Sequence, residues 1–340
     1  MANVFNATTT TGLQLTPDNS GAVQFQTNNG TTALTISTAQ QAAFAQSVSA
    51  TQGLSSASYL SPFASGYRNR IINGNMGIAQ RGTSFSNSNG YTVDRWAVYS
   101  AGTGPSVAQV AGPTGYRYAV QITGATGNTV TTLNQRIESY NCSDLSGQTV
   151  TIQANISVSS AQTVYWSLSY PTAQDNYASF TSITTGTWSA TTTATTFTAT
   201  VTGLPSGVTN GLQLIIAPQN DGAFTSGTIT ITGVQLELGS VATPFEVRSL
   251  GVEVLLCQRY YSTLYHSVFA SAASYTTVMM IAYPATMRVA PTASWSANFL
   301  TNVSSFSVNS QGTNGARSTL TATSGGAAEW TGAVTLGAEL

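Results

Sequence analysis

Charge is nearly missing from this chain: only 6% of its 340 residues are Asp, Glu, Lys or Arg, against about a quarter in ordinary soluble domains. Lysine does not occur, and all ten cations are arginines. That absence removes the basic stripe that nucleic acid or an anionic membrane surface would need, and it excludes a GxxxxGK phosphate loop. Histidine occurs once, as His266, with Cys257 nine residues away and no acid close in sequence. A hydrolytic triad and a zinc cluster therefore have no donor set, and His266 reads as a packing residue. The two cysteines, Cys142 and Cys257, belong to no CxxC pair and cannot build a disulfide scaffold. They read as buried free thiols, with a single bridge as the other reading. No metal and no cofactor is expected. The most apolar stretch, Tyr275 to Tyr283, is about half of the roughly 20 residues a spanning helix needs, so no membrane insertion is expected. Met1-Ala-Asn-Val-Phe-Asn has neither the basic start nor the apolar run of a secretory signal, which predicts synthesis in the cytosol and another route out.

Ser, Thr, Gly, Asn and Gln fill the places that charge leaves. Hydroxyl and amide groups hydrate adequately and cost little to desolvate when another copy packs on them, so the composition suits an extracellular β-rich oligomer. At 35.2 kDa the chain is long enough for two or three domains. With 41% hydrophobic and 9% aromatic residues and a net charge of -1, it is expected to fold rather than remain disordered.

Three regions are expected. Residues 1–66 begin with short strands around Leu13 and Leu15, Val23 and Phe25, and Leu34 and Ile36, separated by Pro17-Asp18 and Asn28-Asn29-Gly30 turns. Ser37 and Gln40 have capping-box spacing and open a predicted helix over about 38–52, with Phe44 and Val48 one turn apart as a stripe for trimerisation. Gly53 to Gly66 reads as a linker. Residues 67–248 read as an antiparallel β-sandwich. In Thr149 to Val158, Val150, Ile152, Ala154, Ile156 and Val158 alternate with polar residues, the period of a half-buried strand. Ile229 and Ile231 hold one phase while Val234, Leu236 and Leu238 hold the other, which predicts a β-bulge at Thr232-Gly233. Residues 249–340 are expected to form a linking helix and a small β tip. Leu250, Val254, Cys257, Tyr261 and Leu264 recur in steps of four and three, consistent with a coiled-coil seam or with an ordinary helix lying on a sheet. Val278-Met280-Ala282, Trp295-Ala297-Phe299 and Phe306-Val308 read as strands. No repeat of 20 to 50 residues marks a solenoid or β-helix.

Eleven acids leave a two-carboxylate glycosidase open on sequence. Asp175 and Asp221 each adjoin an asparagine in a polar stretch and read as Asx turns, with calcium ligation as the alternative. Arg68, Arg70, Arg81, Arg95, Arg117 and Arg136 come early in the sandwich and most acids later, so arginines are expected to meet carboxylates across strands or subunits. Aromatic faces stack on sugars while amides and hydroxyls hydrogen-bond them. Trp96 and Trp166 fall within strand patterns and read as core. Trp188, Trp295 and Trp330 adjoin Gly or polar residues and, with Tyr275, are the candidate ligand-binding residues, packing being the other reading.

Arg70-Ile-Ile-Asn-Gly-Asn-Met76, Gln80-Arg-Gly-Thr-Ser-Phe85 and Tyr91-Thr-Val-Asp-Arg-Trp96 resemble the opening of the jelly-roll module of many bacteriophage tail fibres. Ile231 to Glu246 and Cys257-Gln-Arg-Tyr-Tyr261 resemble its last strand and exit helix, and Gly12 to Asp18 with Asn28 to Leu34 resemble the virion-proximal part. The resemblance covers about 280 residues of the sequence; the remainder matches no known pattern. It implies a jelly-roll, homotrimeric fibre of the virion, assembled in the host cytoplasm, with its N-terminus on baseplate or tail proteins and its distal domains on host polysaccharide or lipopolysaccharide. Trimer contacts would then fall at Phe44, Val48, Leu250, Val254 and Tyr261. It transfers no catalytic residue, and the chain is expected not to be an enzyme. A depolymerase tailspike and a non-binding structural adaptor are the rival readings.

Overall fold

The computed structural model describes residues 23–27, 31–36, 42–44, 67–218, 222–310 and 312–340, which fall in two compact units, Met1–Pro62 and Phe63–Leu340. In the first unit β1 (Val23–Thr27), β2 (Thr31–Ile36) and β3 (Ala42–Phe44) form one antiparallel sheet in chain order. β3 corrects the helix expected over about 38–52: Leu34 pairs with Phe44 and Ile36 with Ala42. A short helix with one two-residue apolar stripe is marginal alone, whereas pairing on β2 satisfies those backbone groups of Ala42 to Phe44 that face it. Val48 and the linker over 53–66 lie outside the described residues.

The second unit opens with an antiparallel β-sandwich of jelly-roll type. Its strands are β4 (Ser84–Phe85), β5 (Gly90–Tyr91), β6 (Ala97–Gly102), β7 (Ser106–Ala111), β8 (Tyr118–Thr123) and β9 (Asn128–Ile137). β10 (Val150–Val158), β11 (Gln162–Ala173), β12 (Asn176–Ala190), β13 (Thr195–Val201), β14 (Leu212–Ala217) and β15 (Thr228–Leu238) complete it. Sheet one runs β13-β10-β15-β8-β7-β4 and sheet two β12-β11-β14-β9-β6-β5. Alternation drives the layering: Ile152, Ala154, Ile156, Ile229 and Leu236 of sheet one meet Val164, Leu168, Leu133, Leu214 and Ile216 of sheet two in one core, as the sequence period requires. Trp166, Trp188 and Phe197 stack in a row, centroids 5.9 and 6.0 Å apart, within that core.

The phase change in β15 is a bulge where expected. Gln153 pairs with Gln235 but Asn155 with Thr232, so Gly233 and Val234 together face Ala154. Gly233 has φ 58°, the left-handed conformation that glycine adopts without a Cβ penalty.

Beyond the sandwich come α1 (Leu250–Gln258), β16 (Tyr261–Ala270), β17 (Thr276–Ala282), β18 (Thr292–Thr301), β19 (Val303–Ser310), β20 (Gly315–Ala322) and β21 (Ala328–Gly337). Two three-stranded sheets, β16-β21-β18 and β17-β20-β19, enclose a second core with Val268, Met287, Leu320, Trp330 and Leu336. The heptad seam ends after about two and a half turns: α1 stops at Gln258, and Tyr261 and Leu264 lie on β16. The run Tyr261-Ser-Thr-Leu-Tyr-His-Ser-Val-Phe favours a strand, being aromatic and β-branched with Val268 and Ala270 inward and Tyr265 and Phe269 outward. α1 lies on its own chain. Cys257 packs with Ile72, Ile78 and Tyr260, and Val254 leans on that cluster, while Leu250 stays 71% exposed.

Candidate ligand-binding face

The signature residues converge on one buried clamp. Asn73, at φ 57°, donates to Ile78 O and Asp94 O and accepts from Ile78 N, all at 2.9 Å, while its carbonyl accepts the Trp96 indole at 3.0 Å. A Cβ on Gly74 would stand 2.1 Å from Val234 O, so that position admits only glycine. Arg95 is fully buried, stacks on the Tyr260 ring at 3.5 Å and pairs with Glu339. Burial opposes its charge, but Glu339 and Tyr260 outweigh that and raise its pKa. Arg81 bridges Asp94 (3.3 Å) and Glu339 (2.8 Å) above the Tyr261 ring. Arg259 and Tyr260 both bind Glu138, at 2.7 and 3.0 Å. These motifs fasten sandwich, helix and tip together. Arg68, Arg70, Arg81 and Arg95 do meet carboxylates, but from loops and turns rather than across paired strands. Arg136 instead donates to Leu340 O, and Arg117 faces Tyr118.

Two of the four aromatic candidates are core. Trp188 is buried in the aromatic row with its indole on Thr198 O at 3.2 Å. Trp330 is buried flat on Phe306, centroids 3.8 Å apart. Polar sequence neighbours misled there because side-chain alternation points them to the opposite face. Trp295 (42% exposed) and Tyr275 (55% exposed) are on the surface. Trp295 lies on edge strand β18 and Tyr275 in the turn before β17, on different sheets, so they do not define a joint platform.

The outer face of sheet two is different in kind. Its register sets three rungs. Tyr99 pairs with Thr132, and Ala217 with Tyr165 and onward to Thr187; Ala97, Asn134, Ile215, Ser167 and Thr185 lie side by side, with Tyr91 beyond Ala97; Arg136, Gln213, Ser169 and Ser182 form the third. Thr132 and Asn134 are only 7% and 6% exposed. Yet the side chains of Thr132, Asn134, Ser167 and Ser169 make no hydrogen bond within the chain, while Tyr99 stands exposed at one side and Tyr165 half-buried at the other. From β6 to β11 the floor spans about 14 Å at ~4.8 Å per strand. The polar atoms of these four side chains reach solvent, whereas Gln213 Oε1 and Arg136 Nε on the same face are buried without a partner; the outward polar side chains of sheet one are for the most part bonded within the chain. Thr151 donates to Gly239 O (2.8 Å), Thr232 to Tyr118 O (2.7 Å), Asn155 to Thr196 (3.1 Å), Gln121 to Thr230 (3.1 Å) and Gln235 to Glu237 (2.9 Å), with Gln153 the exception. Sheet two thus carries hydroxyl and amide groups without partners in the chain, set between tyrosines. Sequence reading missed these residues because an outward Thr or Asn on a strand looks like any solvated position.

Most of the described carboxylates are committed elsewhere, Glu329 alone having only Thr331 Oγ1 at 3.3 Å as its partner. Asp144 pairs with Arg70, Glu237 with Arg68, Glu246 and Glu253 with Arg248. Asp175 lies in the β11–β12 turn at φ 52°, but its carboxylate makes no Asx turn: it accepts from Ser139 N (2.7 Å) and Oγ (2.9 Å), 36 residues away; Asp221 lies outside the described residues. Among the described residues no cluster of His, Cys, Asp or Glu is set to hold a metal. Both thiols are buried and free, and burial pushes Cys142 up to about 12. No described helix is long and apolar enough to cross a membrane.

No protein-family model matches the chain, and no curated protein matches it. Solved structures similar to it include a CBM4 domain, 19% identical over 50% of this chain and 99% of that one, with a TM-score of 0.35. TmCBM61 in complex with β-1,4-galactotriose is 12% identical over 51% of this chain and 100% of that one, TM-score 0.32. The enzymatically active domain of tailspike protein 4 of Bacteriophage CBA120 is 13% identical over 51% of this chain and 22% of that one, TM-score 0.36. Likenesses of this size say nothing about what this chain binds.

Proposed function

We propose that the chain is an adhesion fibre of a bacteriophage tail: a homotrimer of the virion, attached to baseplate or tail proteins by its N-terminal segment, that binds host polysaccharide or lipopolysaccharide without cleaving it. The observation that carries the binding half is the outer face of sheet two, where Thr132, Asn134, Ser167 and Ser169 lack intramolecular partners between Tyr99 and Tyr165. Hydroxyl and amide groups flanked by aromatic rings are what a polyhydroxyl ligand requires. The non-enzymatic half is supported by the acids, since Asp94, Asp144, Glu138, Glu237, Glu246, Glu253 and Glu339 are all tied to arginines, whereas glycoside cleavage needs two carboxylates free to face a sugar. The phage setting is supported by the sequence resemblance alone.

The test is binding of the full chain to polysaccharide from bacteria the phage adsorbs to. Asn134→Ala and Tyr165→Ala are expected to weaken it by roughly tenfold each, the size of one lost hydrogen bond or stacking contact. New reducing ends during incubation would instead mark a depolymerase, and a chain that neither binds cells nor blocks infection would mark a structural adaptor.

A further inference from the structure

We infer, building on the reading of sheet two as a saccharide face, that its ligand is an uncharged glycan. Thr132, Asn134, Ser167 and Ser169 each both donate and accept, as every sugar hydroxyl does. A uronate, sialate or phosphate brings oxygens that only accept, and covering such a charge without a cation is costly. The face holds one cation, Arg136, at the end of its third rung: its guanidinium donates to Leu340 O and sits 5.1 Å from the Tyr177 ring, while its Nε is buried out of reach of a ligand and no described acid pairs with it. The exposed arginines without an acid partner among the described residues, Arg117 and Arg317, stand just before β8 in sheet one and on β20 in the tip. The three rungs carry no acid either, so an aminosugar finds no counter-charge. With a net charge of -1, the chain also lacks a field to steer an ionic polymer.

The test is a glycan array carrying neutral bacterial saccharides beside ones bearing uronate, sialate or phosphate. It is probed with the full chain at about 50 and about 500 mM NaCl, a range over which surface electrostatics are strongly screened. Asn134→Ala and Tyr165→Ala are run in parallel, with circular dichroism confirming that both fold. The expected result is binding to neutral saccharides alone, changed less than about twofold by salt and weakened roughly tenfold in the variants. Binding to acidic saccharides that the variants abolish, falling steeply with salt, overturns the neutrality of the ligand and leaves the face as a saccharide site. Binding that neither variant alters, or no binding to any saccharide, overturns the saccharide face and the neutrality with it.

Discussion

His266 sits between the two tip sheets, its Nε2 2.8 Å from Ser318 Oγ and its ring centroid 6.4 Å from that of Trp330. Ser318 is buried and directs its hydroxyl to Met279 O at 3.2 Å, so its oxygen is left to accept, and the neutral imidazole donates to it. Burial lowers the His266 pKa below its ordinary value. The sign of the linkage follows: as pH falls through about 6.5 the unfolded chain takes up this proton before the folded chain does, so stability drops as pH falls towards the folded pKa and is fully present above 6.5. The melting temperature should therefore fall between about pH 7.5 and about pH 5.5, and His266→Gln should lose part of that fall. Identical pH dependence in the variant and the parent chain would mean that other groups carry it.

The β15 bulge tests element-scale logic at Gly233, because a Cβ there would meet the Tyr116 hydroxyl at 2.4 Å as well as a left-handed backbone. Tyr116 packs edge-on against Phe245, centroids 5.6 Å apart, so it cannot swing away without loss. Gly233→Ala should destabilise the chain by about 1–3 kcal/mol, read as a lower denaturant midpoint at unchanged slope; an unchanged midpoint would show that the bulge tolerates a side chain. This feature was legible in the sequence because Ile231 and Val234 break a period of two, and period is local. What failed was also local in appearance. Leu250, Val254 and Cys257 share helical spacing with Tyr261 and Leu264, but the element changes at Arg259 and Tyr260, and five positions at mixed steps do not reveal the boundary. The face of sheet two was illegible for the opposite reason. Thr132, Asn134, Ile215, Ser167 and Tyr165 become neighbours only through the register of three strands, which no stretch of sequence contains.

At the scale of the whole molecule, a chain with 6% charged residues has few charges with which to keep its apolar surface apart from that of its copies. The tip leaves Tyr265, Phe269, Met280, Trp295, Phe299 and Leu300 exposed. β18 is an edge strand, and apart from half-buried Ala293 its residues are exposed on both faces. An apolar edge strand with unpaired backbone groups templates open-ended association unless a symmetric partner closes it. Three copies covering one another's tips would remove that edge, and the surface offers no like-charge repulsion to oppose them. Light scattering should then report a mass near three times the 35.2 kDa subunit. Introducing Phe299→Asp together with Leu300→Asp places two like charges per copy in the contact, which should shift the mass towards one subunit at micromolar concentration while circular dichroism stays β-rich. A parent chain that runs as a single 35.2 kDa subunit, or a double variant that assembles as the parent does, would show that the tip is not where the copies meet.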